Sequence, residues 1–212
     1  MREAPQMAAQ VSAKVCHDLV EPMSAIIQGL DMLKEADNGK NAEALSLVES
    51  GVMKAWAKLD FYRFAFGGAL ADGEGEITEA RDTAIKLFSQ LKAELKWSVG
   101  AVAMPKAAVR VIMNLLYIAN DCLPRGGTVE IASEGQEIRI VSQGQRAMLK
   151  PAVAAALRGE TVEGAFPSQI IQPTFTGVLA RLGGIELLAR EAPERIELVA
   201  RSAAFRPMSA AA

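Results

Sequence analysis

The sequence predicts an α+β fold, in which an N-terminal antiparallel helical hairpin precedes helices laid on one face of a mostly antiparallel sheet. Three observations carry this prediction. From Met7 to Phe66, apolar residues recur at steps of three and four, which is helix spacing. A breaker-rich stretch follows, Gly67-Gly68-Ala69-Leu70-Ala71-Asp72-Gly73-Glu74-Gly75-Glu76. Beyond it, helical patterns are interleaved with paired runs of alternating apolar and polar residues, the signature of β-hairpins. The expected units are residues 1–70 and residues 71–212.

In the first helix the apolar positions are Val11, Val15, Leu19, Pro22, Ile26, Leu30 and Leu33. Asp37-Asn38-Gly39-Lys40-Asn41 supplies turn chemistry. The second helix carries Leu45, Val48, Val52, Ala55, Leu59, Tyr62 and Phe66 in a seven-residue repeat. Met23, Ile27 and Leu30 widen the apolar face of the first helix, and Leu47, Trp56 and Phe61 widen that of the second. That width is more than a lone hairpin can cover. A four-helix bundle made by two copies covers it, so a homodimer is expected. The alternative is that the second half of the same chain covers the face.

After the linker, Thr78–Glu94 reads as a helix and Leu95–Val99 as a short strand. Pro105–Leu123 is a helix with proline in its first turn. Thr128–Ser133 and Glu137–Ser142 flank Glu134-Gly135-Gln136 as a hairpin. Pro151–Arg158 and Pro173–Leu182 are helical in pattern. Ile185–Arg190 and Ile196–Arg201 make a second hairpin around Ala192-Pro193-Glu194, and the Ala-rich tail after Phe205 is expected to fray.

Composition narrows the chemistry. The chain has 212 residues and half of them are apolar, which is enough for a core. A net charge of −2 with no basic block argues against nucleic acid as a partner. One histidine rules out multi-histidine metal sites, and Cys16 and Cys122 make neither a CxxC pair nor a disulfide framework. The N-terminus lacks a signal-peptide pattern and no apolar run suffices to span a bilayer, so a cytoplasmic protein without a membrane partner is expected.

The remaining chemistry lies at His17-Asp18-Leu19-Val20-Glu21-Pro22. At about 100° per residue, His17 lies roughly 160–200° around the helix from Val15 and Leu19, so it points away from the hairpin seam. Imidazole is the side chain that titrates near neutrality, and its neutral form is a nucleophile. Asp18 follows directly and Glu21 stands four residues on. Either carboxylate can accept a ring proton and leave the other nitrogen free, Asp18 being the first choice. Pro22 removes the hydrogen bond to the Asp18 carbonyl, so a kink is expected one turn past the histidine.

This segment resembles the H-box of sensor histidine kinases, with its phospho-accepting histidine, following acid and later proline. Asn114-Leu115-Leu116-Tyr117-Ile118-Ala119 resembles the N-box of their ATP-binding domain, Pro124-Arg125-Gly126-Gly127-Thr128-Val129 its continuation into a strand, and Leu179-Ala180-Arg181-Leu182-Gly183-Gly184-Ile185 its closing helix-Gly-Gly-strand. The magnesium-holding asparagine of that family falls on Ile118, the lysine after it on Asp121, and the adenine-reading aspartate on Ser142. The last glycine of the adenine motif is replaced by Arg146, and Gln169-Ile170-Ile171-Gln172-Pro173-Thr174 has no glycine for a phosphate lid. A kinase-like body with an intact histidine and a lost nucleotide site is similar to the ChpT-type histidine phosphotransferases of alphaproteobacterial phosphorelays. The stretch from Gln172 to Arg181 adds to the likeness.

The resemblance implies a degenerate histidine-kinase ATPase-like α/β sandwich after the hairpin, and a homodimeric shuttle that uses no ATP. It implies that His17 takes phosphoryl from the receiver domain of a hybrid histidine kinase and passes it to response regulators of the CtrA and CpdR types. The receiver would bring Mg²⁺ and the acceptor aspartate, so this chain needs no cofactor of its own. Docking would fall on Ser24, Ile27, Gln28 and Asp31 of the first helix, with Ser46, Ser50 and Lys54 of the second. Two other readings stay open at this point: a non-catalytic dimeric scaffold or kinase regulator, and an autophosphorylating kinase without its sensor.

Overall fold

A computed structural model of the chain describes residues 3–35, 41–67, 73, 75, 77–100, 102–160 and 167–207. Helices α1 (Glu3–Glu35) and α2 (Asn41–Phe66) form the hairpin, and α1 runs through Pro22 as one uninterrupted helix. Most of the expected turn before Asn41, much of the linker, and the tail beyond Pro207 lie outside the described residues.

Small residues set the hairpin seam. A Cβ added to Gly29 would meet Val48 Cγ2 at 2.7 Å and the Ala44 carbonyl oxygen at 2.8 Å. One added to Gly51 would meet Ile26 Cγ1 at 2.7 Å and the Pro22 carbonyl oxygen at 2.8 Å. The two glycines therefore let the helix backbones approach closely, and Pro22, Ala44 and Ala55 are buried beside them. This corrects the expected seam, because Leu30, Leu45, Val52 and Leu59 are instead about half exposed. Residues that large would force the two backbones apart. With Val20, Met23, Ile27, Met53 and Trp56 they make an apolar face on the outside of the hairpin.

The other end of the hairpin is covered by the rest of the chain. Helices α3 (Ile77–Phe88), α4 (Lys106–Asp121) and α6 (Pro167–Leu182) pack against it. Phe61, Tyr62 and Ala65 join one continuous core with α4 and the sheet. Phe61, expected on the widened hairpin face, is fully buried there with its ring centroid 5.6 Å from that of Tyr117. Residues Val111 to Ala119 of α4 are all buried, and of these only Asn114 and the Tyr117 hydroxyl are polar.

Five strands form the main sheet in the order β1 (Ala93–Ser98), β3 (Gly127–Glu134), β4 (Glu137–Gln143), β6 (Arg195–Arg201) and β5 (Glu186–Ala192). β1 and β3 run parallel and are joined through α4, since a parallel pair needs a crossover; the remaining pairs are antiparallel. Ile131 pairs with Ile140, which pairs with Leu198, and all three face the core. Helix α5 (Pro151–Arg158) matches its expected bounds. Two short strands, β2 (Val102–Ala103) and β7 (Arg206–Pro207), pair with each other, so the two residues after Phe205 lie in a strand.

Two helix boundaries differ from expectation. The segment read as a helix to Glu94 leaves helix at Phe88, because Ala93 and Glu94 pair with Gly127 and Thr128 of β3. Sheet pairing overrides the local pattern there. Helix α6 begins at Pro167 and contains Pro173 internally, so Gln169–Thr174 is helical. Burial of Ile171, Gln172 and Pro173 against the body of the protein outweighs the hydrogen bond lost at the proline. Among the described residues, no helix is long and apolar enough to cross a membrane.

Candidate functional site

His17 and Asp18 are neighbours on α1 with opposite surroundings. Successive helix residues are about 100° apart, so one faces solvent while the other faces inward. The His17 side chain is 84% exposed and that of Asp18 only 13%. His17 Nδ1 lies 3.2 Å from Asp18 Oδ1. An ionised carboxylate only accepts, so Nδ1 carries the hydrogen and the Nε2 lone pair is free to solvent.

The second oxygen of Asp18 is held from three elements. Lys14 Nζ donates to Oδ2 at 2.8 Å from one turn earlier on α1. The Tyr62 hydroxyl, on α2, donates to the same oxygen. The Tyr117 hydroxyl, on α4, stands 3.4 Å from it and 3.1 Å from the Tyr62 oxygen. The Lys14 ammonium also sits 5.1 Å from the centroid of the Tyr117 ring. Burial pushes the Asp18 carboxyl up, but the bonds from Lys14 and Tyr62, the Lys14 charge and the His17 contact outweigh it and hold the group below its ordinary range. Burial pushes both phenols far up, joined by Tyr117 and Asp18 at Tyr62 and by the Asp121 and Asp18 carboxylates at Tyr117, so both hydroxyls keep their protons at any ordinary pH.

Pro22 has a structural counterpart on the facing helix. Having no N–H, it leaves the Asp18 carbonyl without its intrahelical partner. Lys58 Nζ, from α2, donates to that carbonyl at 2.8 Å. The same ammonium lies 3.5 Å from a Glu21 carboxylate oxygen. Glu21 thus pairs with Lys58, and of the two candidate carboxylates it is Asp18 that meets the imidazole ring.

The expected docking residues are distributed as follows. Ser24, Ile27, Gln28 and Asp31 are exposed on α1, and Asp31 pairs with Lys34. By helix geometry His17, Ser24, Gln28 and Asp31 fall within about 60° of one another. Ser46 and Ser50 are exposed on α2, whereas Lys54 is half-buried. Lys54 lines a groove of about 290 Å³ with Glu21, Lys58, Lys92 and Leu123.

Of the positions aligned with a kinase nucleotide site, Ile118 and Ser142 are buried, whereas Arg146 is exposed and Asp121 lines a cleft. Ser142 is fully buried and donates to the Ala119 carbonyl at 2.8 Å. Arg146 adopts a positive φ of 62°, a conformation that glycine adopts with less strain. Where a lid would lie, α6 is tied down instead: Gln172 donates to Asn114 Oδ1 at 3.1 Å, and Asn114 donates to the carbonyls of Ala65 and Arg110. A cleft lined by Lys14, Ile118, Asp121, Lys150 and Gln172 among others has a volume of about 70 Å³. Sites for drug-sized ligands occupy roughly 300–1,000 Å³. Among the described residues, no group of three or more His, Cys, Asp or Glu side chains is arranged to hold a metal ion.

Sequence reading missed Lys14, Lys58, Tyr62 and Tyr117 as partners of the site. Tyr62 was read as a core position and Tyr117 as part of the N-box segment. The available signal was composition: these are the only two tyrosines in the chain, each on a helix that packs into the core.

The histidine phosphotransferase C-terminal domain family matches residues 77–195. Protein phosphotransferase ChpT of Brucella abortus (strain 2308) is 30% identical over 198 residues, covering 91% of this chain and 94% of that protein. A solved structure of a bacterial phosphotransferase superposes with a TM-score of 0.84 at 29% identity, over 93% of this chain and 97% of the other. With more than half of its length matched by the family and a relative similar along nearly all of it, this chain belongs to the histidine phosphotransferases, as a ChpT-type protein phosphotransferase.

Proposed function

We propose that His17 is the phospho-accepting residue, and that the chain works as a homodimer relaying phosphoryl from a hybrid-kinase receiver domain to response regulators of the CtrA and CpdR types. One observation carries this reading: an exposed imidazole is held at Nδ1 by a part-buried, ionised carboxylate, which leaves Nε2 to react. In the forward step the Nε2 lone pair forms the N–P bond as the bond from the receiver's aspartyl oxygen to phosphorus breaks. The receiver carboxylate leaves with the electron pair. The ring then bears a positive charge, with its Nδ1 hydrogen facing Asp18. The reverse step returns phosphoryl to the next receiver. Such transfer needs mostly positioning and charge stabilisation. Mg²⁺ belongs to the receiver's own acid cluster, where it supplies charge neutralisation.

Receiver docking is assigned to the stripe of Ser24, Gln28 and Asp31 with Ile27 at its edge, and to Ser46, Ser50 and Lys54 on α2. The groove beside Lys54, Lys58 and Lys92 suits an acidic partner. Dimerisation is assigned to the outer apolar face. Val20, Met23, Ile27 and Leu30 fall within about 80° of one another on α1, and Leu45, Val52, Trp56 and Leu59 within about 60° on α2. Each set makes one stripe, the form needed for a four-helix bundle. The 70 Å³ cleft and the buried Ile118 support a reaction without ATP. We also assign the chain to the cytoplasm, where its receiver partners would lie.

The test is incubation with a phosphorylated receiver domain. Acid-labile label is expected on the wild type and absent from His17→Ala. Retention of label by His17→Ala, or no transfer from any cognate receiver, overturns the assignment. Light scattering on the purified chain should give twice the monomer mass.

A further inference from the structure

The two tyrosine hydroxyls do nothing in the reaction as written, yet both converge on one carboxylate oxygen. They come from different parts of the chain, Tyr62 from the hairpin and Tyr117 from α4 in the body beyond it. Each hydroxyl has one proton to give. Tyr62 gives its proton to Asp18 Oδ2. Tyr117 then has two acceptors within reach, the Tyr62 oxygen at 3.1 Å and Asp18 Oδ2 at 3.4 Å. The result is a short chain of donors running from the buried body to the carboxylate.

The rings that carry these hydroxyls are locked. Tyr62 and Tyr117 are 3% and 7% exposed. Their centroids lie 5.8 Å apart, Tyr62 stacks on Phe66 at 5.5 Å, and Phe61 sits against both. A carboxylate held at Oδ2 cannot swing about its χ angles, and that fixes Oδ1 toward the His17 ring. Lys14 alone does not achieve this, since an ammonium on a four-carbon stem follows the carboxylate wherever it goes. The tyrosines are anchored to the core and do not follow.

We infer that Tyr62 and Tyr117 are positioning residues for phosphotransfer: through Asp18 they set the tautomer and orientation of His17, so the kinase-like body acts on the reaction centre by a hydrogen-bond chain. This rests on the reading of His17 as phospho-acceptor, and it gives the body a task that requires no nucleotide. The hydroxyls touch neither phosphoryl nor receiver.

The test exploits the single histidine of the chain. In ¹⁵N spectra of the unphosphorylated protein, one imidazole reports its tautomer without ambiguity. The wild type should show the Nδ1–H form in excess. Tyr62→Phe, which keeps the ring and its stacking, should shift the population toward Nε2–H and slow phosphotransfer about five- to tenfold. Tyr117→Phe, which removes the longer contact, should slow it about two- to threefold. In an Asp18→Asn background neither tyrosine change should add a further loss, because the path runs through the carboxylate.

Unchanged tautomer and unchanged rate in both folded single variants would overturn the inference. So would tyrosine effects that persist in full on Asp18→Asn. A lowered melting temperature without a tautomer shift would assign the hydroxyls to stability alone, and overturn it equally. Should the Tyr62 variant fail to fold, Tyr117→Phe decides by the same two readouts. The tautomer measurement involves no receiver, so a failure of the phospho-acceptor reading shows separately, as label surviving in His17→Ala.

Discussion

The two ends of the hairpin are made by the same pair of helices and differ in what covers them. At the base, around Val15, Phe61 and Tyr62, α3, α4 and α6 close over the helices and bring polar groups with them. Towards the other end, from Val20 to Leu30 and from Leu45 to Leu59, the outer face stays apolar and exposed. His17 and Asp18 stand where the two conditions meet. One side chain takes the solvent of the open end and the other the fixed donors of the closed end. A reactive group can thus be accessible and oriented at once, because access and orientation come from adjacent residues about 100° apart.

The largest expected break is His17→Ala. Phosphotransfer from a receiver should fall at least about a thousandfold, while the melting temperature moves by no more than about 2 °C, since the imidazole is solvated. Calorimetry beside a transfer assay checks both halves. At the open end, Ile27→Glu combined with Trp56→Glu should raise the dimer dissociation constant by about a hundredfold or more, read by sedimentation. The base should be untouched, with an unaltered His17 signal.

Asp18→Asn is expected to slow transfer about ten- to a hundredfold, because the neutral amide neither selects the Nδ1–H tautomer nor stabilises the phosphorylated ring. It also has a pH signature. The folded protein holds this carboxyl below its ordinary value of 3.8. Its stabilising contribution is therefore complete above that value and is lost as pH falls through the lower folded value. The melting-temperature gap between wild type and Asp18→Asn should be constant near neutrality and close in acid below about pH 3.8.

The smallest expected effect is that of Lys58→Met, which leaves the Asp18 carbonyl without the donor that answers Pro22. A loss of about 1 kcal/mol in denaturant unfolding is expected. Pairing it with Pro22→Ala, which restores an intrahelical donor, should recover most of that loss.

How much of this was legible follows from the range of each interaction. The outward histidine and the hairpin were readable because helix periodicity is local and the exposure of His17 depends on its own turn. The residues at the positions aligned with a kinase nucleotide site were readable one by one, from Ile118 to Arg146, whereas the burial of Ile118 and Ser142 was not. The seam was misread, since steps of three and four mark an apolar stripe without saying whether Leu30 or Gly29 lies against the partner helix. Phe88 as a helix end was illegible because it depends on pairing between Ala93 and Gly127, more than thirty residues away.

The sequence by itself determined that one imidazole is offered to solvent beside an acid, on a helix built to pair with another. Both properties arise from spacing along a single helix. Only the tertiary structure decided which acid serves it and what holds that acid still. Tyr62 and Tyr117 lie 44 and 99 residues from Asp18. No local pattern brings two such hydroxyls to one oxygen; that is done by packing α1, α2 and α4 around a shared core.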